Sequence, residues 1–281
     1  MRNDQILPIT RWVAALVVPI LLLAFIILYL LPNRTADYFA WTINPTMTSM
    51  MMGAGYLAGA YFFTHVVLAK KWHHVALGFP AVTAFVWFML IATILHYDRF
   101  NHNHPAFIAW LILYVVTPIL IPALWWFNRK KDPGLPDALD VVIPKWAQTI
   151  MGIIAIVTLG NAVLMLLFPA WYIPIWPWQL SPLTARIVAG WFALPGMVAL
   201  GVAADSRWSA ARITLQSQII GLVLILVAVA RSWQEFDAGK AATWVFVGGL
   251  AALLLVVVGL YSYETAVYNN TRPSPPNNQT V

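Results

Sequence analysis

The residues of this chain best suited to chemistry are two carboxylates and two guanidinium groups set among tryptophans. Asp98 lies in His96-Tyr97-Asp98-Arg99-Phe100, and Glu235 in Arg231-Ser232-Trp233-Gln234-Glu235-Phe236-Asp237. Arg186 follows Trp178-Gln179-Leu180-Ser181-Pro182, which matches Trp41-Thr42-Ile43-Asn44-Pro45 earlier in the chain. A carboxylate can accept a proton, and a guanidinium grips phosphate or carboxylate through paired hydrogen bonds. All these groups flank long apolar runs, where charges are costly unless paired or wetted. One reading is a ring of interfacial ion pairs that positions helices. The other is a ligand-binding mouth where Trp41, Asp98, Trp178, Arg186, Arg231 and Glu235 converge, with aromatic walls. The tryptophans also suit a belt at the headgroup level.

Other chemistry is thinner. Cysteine is absent, which removes disulfides, thiolate metal sites and cysteine nucleophiles. His96, His102 and His104 share one segment and offer zinc a weak site, since their spacing matches no strong metal pattern. His65 falls within an apolar run, as a hydrogen-bonding partner of a neighbouring helix or as a proton relay. It lies at the opposite end of its run from His96, so the two cannot be paired haem ligands. Met47, Met50, Met51 and Met52 offer soft sulfur to copper(I), or adaptable packing. The chain has no phosphate-binding loop, nucleophile elbow, zinc-protease or dinucleotide fingerprint. No Asp, Glu, Lys or Arg falls mid-run, which speaks against an ion-driven pump.

The elements that must position these residues follow from composition. Of 281 residues, 61% are hydrophobic and only 9% charged, and the mean hydropathy is +0.76. Soluble domains carry about 25% charged residues, so the solvent here is lipid. Apolar runs predict an all-α integral membrane protein with eight transmembrane helices, at about 11–32, 46–69, 77–96, 106–127, 149–168, 187–204, 213–231 and 242–263. The first run ends in Tyr29-Leu30-Leu31-Pro32, a poor cleavage site, and reads as an uncleaved span. Prolines 80, 118, 122 and 195 should kink their helices.

The net charge is +6 and the pI near 9.7. In a soluble protein that would suggest nucleic acid, but here the basic residues alternate between loops and nucleic acid is set aside. Arg2, Arg11, Lys70, Lys71, Arg129, Lys130, Lys131, Lys145, Arg207, Arg212 and Arg272 share one side; Arg34, Arg99, Arg186, Arg231 and Lys240 share the other. The positive-inside rule makes the first side cytoplasmic, with both termini on it, in the plasma membrane.

The chain also reads as written twice at an offset of 137. Leu22 meets Leu159, Pro32 meets Pro169, Trp41 meets Trp178, Pro45 meets Pro182, Gly53 meets Gly190, Gly59 meets Gly196, and Asp98 meets Glu235. This predicts a tandem duplication: a four-helix repeat over 1–137, a second over 138–268, and a disordered cytoplasmic tail over 269–281. An even span count per repeat gives both the same orientation, related by an axis along the membrane normal. The paired glycines, with Gly55-xxx-Gly59, are expected to bring spans 2 and 6 together.

Three functions fit. First comes a carrier or binder of a small uncharged, anionic or lipid-like solute at an outward-facing site between the repeats. Second comes a non-catalytic accessory or scaffold subunit docking partner membrane subunits. Third comes a lipid-headgroup enzyme with Asp98 or Glu235 as base and Arg186 on phosphate; with no nucleophile or metal motif, the sequence leans away from catalysis.

Overall fold

In lipid, a backbone has only itself to bond to, so each apolar run closes into a helix. The computed structural model describes residues 3–270. It holds eight helices long and apolar enough to cross a membrane. They are α1 Pro8–Leu30, α2 Thr46–Leu68, α3 His73–Leu95, α4 Pro105–Arg129, α5 Lys145–Leu167, α6 Pro182–Ala204, α7 Trp208–Arg231 and α8 Ala241–Asn270. No strand occurs among the described residues, apart from one isolated bridge between Val142 and Arg207. The chain is a polytopic membrane protein.

Several helices begin earlier than the apolar runs, because polar caps start them. Ser181 accepts from the Thr184 N–H and opens α6. Asp140 accepts from the Ser209 N–H and opens α7. α8 continues past the expected end through Asn270, and residues 1–2 and 271–281, on which most of the expected tail falls, lie outside the described residues. Pro118, Pro122 and Pro195 lie inside helices as expected, and so does Pro19. Pro80 instead falls in the first turn of the regular helix Gly78–Leu95, where no intrahelical donor is lost.

α2 and α6 form the centre, with half or more of their apolar windows buried (50% and 56%), whereas α8 buries 22% and leaves the rest to lipid. α1 packs on α2 and α5 on α6; α3 crosses to α6 and α7 crosses to α2; α4 flanks α3 and α8 flanks α7. The glycines serve these contacts differently from the expectation. A Cβ on Gly55 would run into the Trp191 ring of α6 at 2.0 Å, so this glycine does join α2 to α6. Gly59 instead abuts Leu21 of α1, and Gly196 abuts Leu159 of α5. Those two let helices approach within a half, not between halves. Met47, Met50, Met51 and Met52 are all buried in the core, and the Met47 sulfur accepts from the Ser232 hydroxyl at 3.3 Å.

Candidate functional site

The face holding Trp41 and Trp178, here the distal face, is organised by two boxes of four rings. Trp41 packs on Phe39, Phe100 and Trp110 at centroid distances of 5.0, 5.1 and 4.9 Å. Trp178 packs on Trp176, Phe236 and Phe246 at 5.3, 5.1 and 5.0 Å. Both tryptophans are buried, so neither faces headgroups. The sequence motif marks a packed aromatic node that ties its loop to the next distal loop and the helix after it: Phe100 and Trp110 of α4 in the first half, Phe236 and Phe246 of α8 in the second.

The charged candidates each have a local partner. The Glu235 carboxylate accepts from the Thr46 N–H at 3.0 Å, the Thr46 hydroxyl at 2.6 Å and the Met47 N–H at 2.8 Å. It thereby caps α2, whose Pro45 supplies no capping side chain. The Trp178 indole donates to Thr48 Oγ1 in the same turn at 2.8 Å. Arg186 donates to the Leu166 carbonyl at 3.0 Å and meets His96 Nε2 at 2.6 Å. Arg231 donates to the Tyr29 carbonyl at 3.3 Å and lies over the Tyr29 ring. Asp98 stays exposed, paired with its neighbour Arg99 at 3.3 Å. Of the six candidates, Trp178 and Glu235 thus meet on one turn of α2, while the other four are held by separate contacts. The remaining distal histidines also diverge: His102 contacts the Tyr97 carbonyl, and His104 the Asp37 carbonyl.

A cavity of about 180 Å³ lies deeper, between α1, α2, α3, α4, α6 and α7. Its wall is apolar and aromatic, with Tyr56, Phe85, Val86, Trp191 and Leu222, and no charged residue lines it. The few polar groups on the wall are engaged with protein. Tyr56 and Tyr114 hydroxyls bond to each other at 2.9 Å, and Ser217 donates to the Ala58 carbonyl at 2.7 Å. Two are exceptions: both polar atoms of the Gln218 carboxamide and the Trp191 indole N–H are buried without a partner. In the sequence, Gln218 is simply a polar residue within an apolar run. Its place on a cavity wall depends on the crossing of α7 over α2, which periodicity does not reveal.

The opposite, proximal face carries a polar crevice of about 290 Å³, lined by His74, Asp137, Asp140, Ser209 and Arg212 among others. Asp4 adopts φ of 54°, a left-handed conformation uncommon outside glycine. It is fixed there by its N–H to the Lys131 carbonyl and by its own carbonyl, which accepts from the Trp72 N–H. Its carboxylate accepts from the His73 N–H at 3.1 Å and meets His73 Nδ1 at 2.5 Å. His73 is buried, and its Nε2 lies 3.1 Å from Ser209 Oγ and 3.5 Å from Asp137 Oδ1. Asp4, His73 and Ser209 therefore form a carboxylate–imidazole–hydroxyl chain. Ser209, however, donates to Asp140 Oδ2 at 2.5 Å, so its proton is not aimed at the imidazole.

Charge stabilises this face further. Burial pushes the Asp137 carboxyl up, but hydrogen bonds from Lys71 and His74 outweigh it and hold the group below the ordinary carboxylate range. Asp132 behaves likewise, with burial overcome by Arg207 and the Gly134 N–H. Arg207 bridges Asp205 and Asp132, and those bonds, Asp205 first, raise its affinity for the proton. The signal missed in the sequence was the acids. Asp4, Asp132, Asp137, Asp140 and Asp205 share the face of His73-His74, and counting only Lys and Arg by side conceals them.

No family model, curated protein or solved structure matches this chain significantly.

Proposed function

We propose that this protein binds, within the membrane, a small uncharged and largely apolar molecule carrying one hydroxyl or carbonyl group, in the cavity walled by Tyr56, Phe85, Trp191 and Gln218. The unpartnered Gln218 carboxamide carries this reading. A buried polar group without a partner costs about 1–3 kcal/mol, and a ligand with one hydrogen-bonding head would satisfy it. The apolar remainder of the wall and the lack of charge there disfavour an anionic solute. The volume slightly exceeds the ~150 Å³ cavity that accepts benzene, so the occupant is a single ring or short chain, or the head of a longer lipid-like molecule. This is the carrier-or-binder reading with its site moved from the distal rim to the interior.

Five of the six distal candidates, in the same reading, hold helices and loops together, Asp98 stands in solvent beside Arg99, and none touches ligand. Glu235 is committed to three hydrogen bonds and Asp98 to Arg99 in solvent, which leaves the headgroup-enzyme reading without a free base.

The tandem duplication is part of the proposal. The helix partnerships map onto themselves when each helix of one half is exchanged for its counterpart in the other. The two ring boxes correspond within one residue of the offset. Ser49 donates to the Leu28 carbonyl where Arg186, its counterpart, donates to that of Leu166. On this view the cavity lies near a pseudo-two-fold axis, in the plasma membrane, with the proximal face cytoplasmic by the basic-residue bias.

The test is saturable binding of 4-fluorobenzyl alcohol to the protein in nanodiscs, followed by ¹⁹F NMR. Wild type should show a bound resonance beyond lipid partitioning, and Val86→Phe, which fills the cavity, should remove it. Identical spectra for the two proteins would defeat the reading.

A further inference from the structure

We propose that His73, His74 and Asp137 form a binding site for a divalent transition-metal ion of the zinc class, at the proximal face and independent of the membrane cavity. The ligand atoms of the three residues all lie within 4.8 Å of one another. Side-chain adjustments of about 1 Å bring such a set to the 2.0–2.2 Å bonds of a zinc-like ion. Two imidazoles with one carboxylate suit zinc, cobalt or nickel; magnesium and calcium take oxygen ligands alone.

The surroundings have the form that metal-binding histidines require. A carboxylate at Nδ1 keeps a proton on that nitrogen, so a metal taken up at Nε2 displaces only the contact with Ser209 Oγ at 3.1 Å. Asp4 does this for His73 at 2.5 Å, and Nε2 faces Asp137 Oδ1 at 3.5 Å. Such a carboxylate–histidine–metal relay orients the ring and raises its basicity. The left-handed backbone of Asp4 delivers that carboxylate, and such a conformation persists only where its surroundings fix it.

His74 Nε2 lies 2.8 Å from Asp137 Oδ2, on the other carboxylate oxygen. A cation already stands against Asp137: the Lys71 ammonium, on a half-exposed side chain that can turn to solvent when an ion takes its place. The crevice lined by His74, Asp137, Asp140 and Ser209 opens onto the site, so a fourth ligand can enter from it. Three protein ligands with an open position describe a site that retains water or substrate.

Protein stripped of metal in detergent and titrated with Zn²⁺ and Co²⁺ tests this. Wild type should bind one equivalent, and Co²⁺ should give the visible bands of a low-coordinate nitrogen–oxygen site. His74→Ala and the near-isosteric Asp137→Asn should abolish stoichiometric binding. Asp4→Asn, which leaves the ligands in place, should weaken it by about 10–100-fold. A triple variant at His96, His102 and His104 should bind as wild type does. Failure of wild type to bind either ion would overturn the proposal. So would retained binding in Asp137→Asn, which also decides the matter if His74→Ala does not fold, or loss of binding in the distal triple variant.

Discussion

The Trp178 indole donates to Thr48 Oγ1 at 2.8 Å, joining residues 130 positions apart. Trp41, buried in the corresponding ring box, leaves its indole N–H without a partner. Under the proposed duplication the counterpart of Thr48 is Ala185, which has no acceptor to offer. The two halves thus keep the same aromatic node, and only one of them completes its hydrogen bond to the central helix.

Removing the acceptor should expose the cost of that node. Thr48→Val orphans the Trp178 indole N–H as well and should lower stability by about 1–3 kcal/mol, read as a shift in chemical denaturation in mild detergent. Ala185→Thr supplies the missing acceptor and should raise stability by about 1 kcal/mol if it reaches Trp41. Destabilisation by Ala185→Thr as large as that of Thr48→Val would speak against the equivalence of the two halves.

Glu235 holds the first turn of α2 by three hydrogen bonds to its carboxylate. Glu235→Gln presents an N–H₂ group to donors and should cost about 1.5–3 kcal/mol, the scale of hydrogen bonds to charged groups. Asp98→Asn, at the related position but exposed beside Arg99, should be nearly silent. Equal effects of the two substitutions in thermal unfolding would contradict this division of roles.

Acid should weaken the distal face through His96. Burial first, and the Arg186 charge second, lower its pKa from the ordinary 6.5, with Asp98 opposing and Arg99 assisting. The unfolded chain then binds the proton more readily than the folded one. This contribution to stability is therefore intact above pH 6.5 and is lost as pH falls below it toward the folded value. His96→Gln should flatten the stability profile in that window. A profile unchanged by His96→Gln would assign the acid sensitivity to other groups.

The span count was legible because twenty-residue apolar runs have one solution in lipid. The ends were less so, since Ser181, Asp140 and Glu235 start helices from outside the apolar pattern. Trp41 and Trp178 were visible as a pair, but their burial was not. A tryptophan near a helix end reads the same whether it faces headgroups or closes a ring box. Gln218 and the Asp4–His73 contact depend on how distant helices cross and on a left-handed backbone at Asp4. Neither leaves a periodic trace. The proximal acids were in plain view and needed only to be counted beside His73 and His74.

The central claim is an apolar binding cavity with a polar anchor at Gln218. Its most direct test is mass spectrometry of organic extracts from protein purified in mild detergent. Wild type should carry an uncharged, largely apolar compound bearing a hydroxyl or carbonyl, near one equivalent per chain. Gln218→Leu should retain markedly less of it, and the cavity-filled Val86→Phe essentially none. The same compounds at the same amounts in all three proteins, or none at stoichiometric amount in wild type, would contradict the account.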